Sequence, residues 1–260
     1  MQDPKAGSGP SPSMNDRLKA AVIEAYRGEL SRRYSEANVR RFPELETIPV
    51  EVIGRLRDFF LQYIYPTPES RGMRDSSFDE MGNVLKSPRK LWPLFGTAVS
   101  SLWKLGGHIG AAIQAGLRTL EAYIESKRLE RAMIEIALKE NVAPEDFRKP
   151  ETVAHTVRMI PKKKVVRFQK DMLLLFESLA NVELLESSLG ILKDSRKIMA
   201  GRPQTYNERE LAGLDFGLEL LTGGYELFRS LSPEEVRVVL RGIDLIEKDW
   251  YQNIYDSATV

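Results

Sequence analysis

The chain has 260 residues, 42% of them hydrophobic and 29% charged, with a formal net charge of +1. That balance belongs to an ordinary soluble globular protein able to bury a real core, and it argues against nucleic-acid binding driven by overall charge. With no cysteine and only two histidines, disulfides, thiolate or His-rich metal centres and cysteine nucleophiles are excluded.

Residues 1–13, MQDPKAGSGPSPS, are rich in Gly, Ser and Pro and resemble a vector-derived leader. They contain no apolar stretch of the kind a signal peptide needs. Residues 14–260 read as a single domain, with sub-boundaries near 66–87 and 200–206. The first helix spans residues 15–34, with Leu18, Val22, Tyr26 and Leu30 at helical spacing. Pro49 opens a second, whose apolar face carries Val50, Ile53, Leu56, Phe60 and Ile64. Residues 65–87, punctuated by proline, glycine and serine, predict a long loop. A helical stripe then runs from Leu94 through Ile124 into a charged helix that ends at Asn141, with a kink at Gly106–Gly107. Residues 142–158 read as a connecting piece. One helix follows Pro161, with Phe168, Met172, Leu175, Leu179, Val182, Leu185, Leu189 and Leu192 on its buried face. Another spans residues 207–231, interrupted at Gly223–Gly224. The last begins with a capping box, in which Ser232 is the N-cap, Pro233 the first helical residue and Glu235 its reciprocal partner. No alternating β-branched run occurs, so the expected fold is all-α: an irregular bundle of about eight helices without a sheet.

Two stretches depart from this regular pattern. In residues 91–117 Lys104 is the only permanent charge, and five glycines interrupt otherwise helical sequence. Glycine costs a helix about 1 kcal/mol relative to alanine, so the cluster implies tight packing, a bend or an apolar contact. Interrupting polar residues argue against a transmembrane span. The stretch is therefore a candidate apolar-ligand or interface site, formed by Trp92, Leu94, Phe95, Val99, Leu102, Trp103, Leu105, Ile109 and Ile113. The second stretch puts six cations in thirteen residues: Arg158, Lys162, Lys163, Lys164, Arg167 and Lys170. Cations at a helix start oppose the helix dipole unless an anion compensates. An anionic membrane or acidic partner supplies that compensation.

Neither histidine has a partner at metal-ligand spacing, and Glu121, Glu125, Glu177, Glu183 and Glu186 fall on polar helix faces. No catalytic residue, cofactor or metal site is therefore expected. The reading is a non-enzymatic helical binding protein, cytoplasmic or peripheral to a membrane. It accommodates lipid or an apolar small molecule, or docks on a membrane, through residues 91–117. The alternative is a protein-interaction or scaffold module, or a homo-oligomer, using the same surface; an enzyme with a site hidden in the bundle ranks third.

Overall fold

A computed structural model describes residues 13–90, 93, 94, 119, 123 and 127–256. Ten α-helices lie wholly within these: α1 Met14–Arg33, α2 Glu36–Val39, α3 Val50–Phe59, α4 Pro68–Lys86, α5 Arg128–Lys139, α6 Pro150–Arg158, α7 Lys162–Ala180, α8 Val182–Ala200, α9 Glu208–Phe228 and α10 Pro233–Asp256. A π turn, Phe60–Ile64, continues α3, and short 3-10 turns cover Pro43–Leu45 and Pro144–Arg148. No strand occurs among the described residues, so the all-α expectation holds, with more helices than the eight expected.

The additional helices have local causes. Residues 68–86 form α4 instead of the expected loop. Pro68 sits in the first turn, where its missing N–H costs nothing, and Glu69 complements the dipole there. The helix lies along α9, so tertiary packing overrides the weak propensity of its serines and glycines. The expected connecting piece likewise contains α6, started by Pro150. The long helix after Pro161 divides at Asn181, whose side-chain oxygen accepts the Leu184 N–H at 3.3 Å and starts α8.

Other boundaries match the sequence. Asn141 takes φ 52° after α5, the left-handed position that asparagine tolerates best after glycine. At the start of α10, the Ser232 N–H donates to Glu235 Oε2 at 2.8 Å and the Glu235 N–H to Ser232 Oγ at 3.3 Å. Asn207 and Glu210 form a second capping box at the start of α9.

The expected interruption at Gly223–Gly224 is absent, because α9 runs straight through both glycines. They are there for contact. A Cβ on Gly223 would stand 2.6 Å from the Tyr63 ring, and one on Gly224 would stand 2.5 Å from Leu179 Cδ2. Gly224→Val is accordingly expected to destabilise by about 1–3 kcal/mol through overpacking, although it removes a helix glycine. Urea unfolding of the variant checks this, and an unchanged midpoint would contradict the packing account.

Most buried apolar side chains join one core, from Leu18 and Tyr26 on α1 to Phe176 on α7, Leu220 on α9 and Ile243 on α10. A smaller cluster gathers Val84, Leu94, Met199, Tyr206 and Leu214.

Candidate functional site

The basic run occupies the first turns of α7 and lies on the surface. Lys162, Lys163, Lys164, Arg167 and Lys170 are exposed and Arg158, at the end of α6, is half-buried. The opposite face carries Val165, Phe168, Met172, Leu175, Phe176 and Leu179 into the core, and Gln169 donates to the Glu247 carbonyl at 3.1 Å. These contacts fix the rotation of α7, so the outward side chains have no freedom to turn inward. No acidic residue stands in its first turn, and Pro161 offers no side-chain cap. Among the described residues none of the six cations is in an ion pair. Lys162 Nζ lies 5.7 Å from the Tyr255 ring centre. The helix start is thus a patch of like charge reinforced by its own dipole.

Of the apolar candidates, Leu94 is described: it is buried in the small cluster against Met199, Tyr206 and Leu214. Trp92, Phe95, Val99, Leu102, Trp103, Leu105, Ile109 and Ile113 lie outside the described residues. His108 lies outside them too, and His155 is exposed on α6.

Sequence reasoning missed two buried charge clusters. In the first, Arg33 on α1 is 2% exposed and donates to Glu247 Oε2 on α10 at 2.6 Å. Tyr34 donates to the other carboxylate oxygen at 2.9 Å. The guanidinium stacks 3.8 Å from the Trp250 ring centre, with Tyr26 at 5.1 Å, while its Nε and Nη2 have no hydrogen-bond partner. Stacking on aromatic faces partly offsets those unmade bonds. Burial raises the Tyr34 hydroxyl well above the usual tyrosine range, and the Glu247 charge raises it further.

In the second cluster, Arg71 on α4 pairs with Glu130 on α5 and donates to Asp75 at 3.1 Å. Lys127 donates to Asp75 at 2.8 Å and stands 4.4 Å from the Tyr123 ring centre. Lys127 is 1% exposed, and burial pulls its pKa down to about 8 against the attraction of Asp75. Burial raises the Glu130 carboxyl despite Arg71. For Asp75, Lys127 and Arg71 outweigh burial and hold the carboxyl below its usual range. The signal for the first cluster was a charge in register with an apolar stripe: Arg33 follows Val22, Tyr26 and Leu30, while Glu247 lies between Ile243 and Trp250.

Two clefts open along α1. One, of about 660 Å³, has Ala21, Ala25 and Gly28 on one wall and Phe147 and Val153 on the other, and Arg17 and Glu145 pair over it at 2.7 Å. The second, of about 470 Å³, shares Glu29, Arg32, Pro150 and Val153 with it and reaches Arg41, Arg158 and Trp250. Charge along it is matched. Arg32 bonds Glu29 and Arg33 bonds Glu247, and Glu151 and Asp249 line it beside Arg41 and Arg158. A balanced rim exerts no net pull on an anion. Among the described residues, no three His, Asp or Glu side chains converge to hold a metal ion, and no helix is long and apolar enough to cross a membrane.

Compared with known proteins, the chain matches no family model, no curated protein and no solved structure.

Proposed function

We propose that this protein is a non-enzymatic helical binding protein that docks on an anionic membrane surface through the outer face of α7. The observation that carries the reading is the exposed run Lys162, Lys163, Lys164, Arg167 and Lys170, without an ion pair among the described residues, on a helix whose rotation the core fixes. Clusters of this size are attracted to anionic lipid at about 1 kcal/mol per cation, and helix N-termini add positive potential. The matched charges of the buried clusters and of the clefts along α1 offer no comparable attraction. By residue chemistry alone, Trp92, Phe95 and Trp103 are suited to the membrane interface and belong to the same proposal.

Vesicle co-sedimentation tests it. Lys163→Glu combined with Lys164→Glu is expected to weaken binding to phosphatidylserine-containing vesicles by at least about 30-fold, the loss of two cations at the stated attraction. Raising the salt concentration should weaken the parent similarly. The melting temperature should stay within about a degree, since exposed charges contribute little to folding. Equal binding by the double variant, or equal binding to neutral vesicles, would remove the reading.

A further inference from the structure

Seven large hydrophobic side chains are exposed among the described residues: Met14, Val50, Met73, Leu138, Met159, Val166 and Leu174. Single exposed hydrophobics are normal on any surface. Met14, Val50, Met73, Leu138 and Met159 are of that kind, one each on α1, α3, α4 and α5 and one just after α6. Val166 and Leu174 are different, because they share one helix face with the cations. Lys163, Arg167, Lys170 and Leu174 are spaced by four, three and four residues, and Val166 lies three after Lys163 and four before Lys170, which places all five in one outward stripe. From Lys163 to Leu174 the stripe is about 16 Å long at 1.5 Å per residue. Val166 is 41% exposed and Leu174 52%, while their helix neighbours Val165 and Leu175 are 1% and 0% exposed in the core.

Resting on the docking reading above, we infer that the partner is the lipid bilayer itself and that Val166 and Leu174 insert into it while Lys163, Arg167 and Lys170 engage the head groups. An acidic protein would need apolar pockets set between its carboxylates at this same spacing, which a bilayer supplies without any such match. A nucleic acid would call for stacking aromatics on this face, and the stripe has none. A bilayer interface uses both kinds of side chain at once, with apolar groups sinking below the phosphates and long cationic side chains reaching back up to them. The core-facing contacts of α7 hold the stripe ready, so insertion requires no rearrangement of the bundle. Glu177, exposed one turn beyond Leu174, limits immersion at that end, so the Lys163 end presses closest to an anionic surface.

The absence of native cysteine makes the test direct. Val166→Cys and Leu174→Cys are each labelled with an environment-sensitive fluorophore, with Lys197→Cys at an exposed position of α8 as control. On phosphatidylserine-containing vesicles the labels at 166 and 174 are expected to shift to the blue and to be quenched by acyl-chain bromine, while the label at 197 stays aqueous. Without labels, Val166→Ser with Leu174→Ser should weaken vesicle binding about tenfold or more while leaving its salt dependence in place. If both labels stay aqueous while the unlabelled parent binds anionic vesicles in a salt-dependent way, insertion falls and surface docking stands. If the parent binds polyglutamate as tightly as it binds the vesicles, the bilayer assignment falls. If the parent binds no anionic vesicle, both fall.

Discussion

Replacing Glu247 with alanine is expected to destabilise the fold by about 3–5 kcal/mol, the usual effect of removing one member of a buried ion pair. That is a large part of the roughly 5–15 kcal/mol separating native from unfolded chains. Three interactions fail together. Arg33 keeps its charge in a site that is 2% exposed, with its nearest remaining carboxylate contact 4.0 Å away at Glu29. The Tyr34 hydroxyl loses its acceptor. The side chain of Glu247 leaves a hole between α1 and α10. The double change Arg33→Met with Glu247→Leu should be less destabilised than Glu247→Ala alone, because no uncompensated charge stays buried. Denaturant unfolding of the single and double variants measures both, and a double variant weaker than the single would contradict this account.

The second large effect depends on pH. Lys127 titrates at about 8 in the folded chain against 10.5 when unperturbed. A lowered folded pKa means that the folded state gives up its proton first. The stability linked to Lys127 is therefore complete above pH 10.5 and is lost as pH falls through 8. The slope between those limits approaches about 1.4 kcal/mol per pH unit, so from pH 8 to 9.5 the parent should gain about 2 kcal/mol. Above pH 10 the buried tyrosines Tyr26, Tyr34, Tyr65 and Tyr251, all raised by burial, act in the opposite sense. Lys127→Met should flatten the rise. Urea midpoints taken at pH 7, 8, 9 and 9.5 decide it, and a parent whose stability falls over this range would contradict a buried, easily deprotonated ammonium.

What could be read from the sequence follows from what is local. The capping box at Ser232, the stop at Asn141 and the outward cations of α7 each depend on residues within a turn or two of one another. The same is true of Glu177, Glu183 and Glu186, which lie exposed as expected. The errors arise where distant partners decide. Serine and glycine in residues 68–86 suggest a loop until α9 covers one side of the helix. Gly223 and Gly224 suggest a break until Tyr63 and Leu179 are seen to occupy the space a side chain would fill. Apolar spacing carries smoothly across Asn181 and hides the division between α7 and α8, which a single side-chain oxygen makes. Within the candidate site, the cations of α7 were evident from charge density. Val166 and Leu174 stand apart only because Val165, Phe168 and Leu175 turn the other side of α7 into the core.

The bond from Arg33 to Glu247 also sets a schedule. Its partners are 214 residues apart, and at roughly 5–20 residues per second the ribosome needs about 10–40 s to deliver the second after the first. During that interval α1 has made its arginine but not the carboxylate or the indole that will receive it. The helix itself packs on α5, on the turn Pro144–Arg148 and on α6, all of which emerge well before α10. The seat of Arg33 on α10 therefore closes late in synthesis, and its guanidinium is the last part of α1 to find its partner.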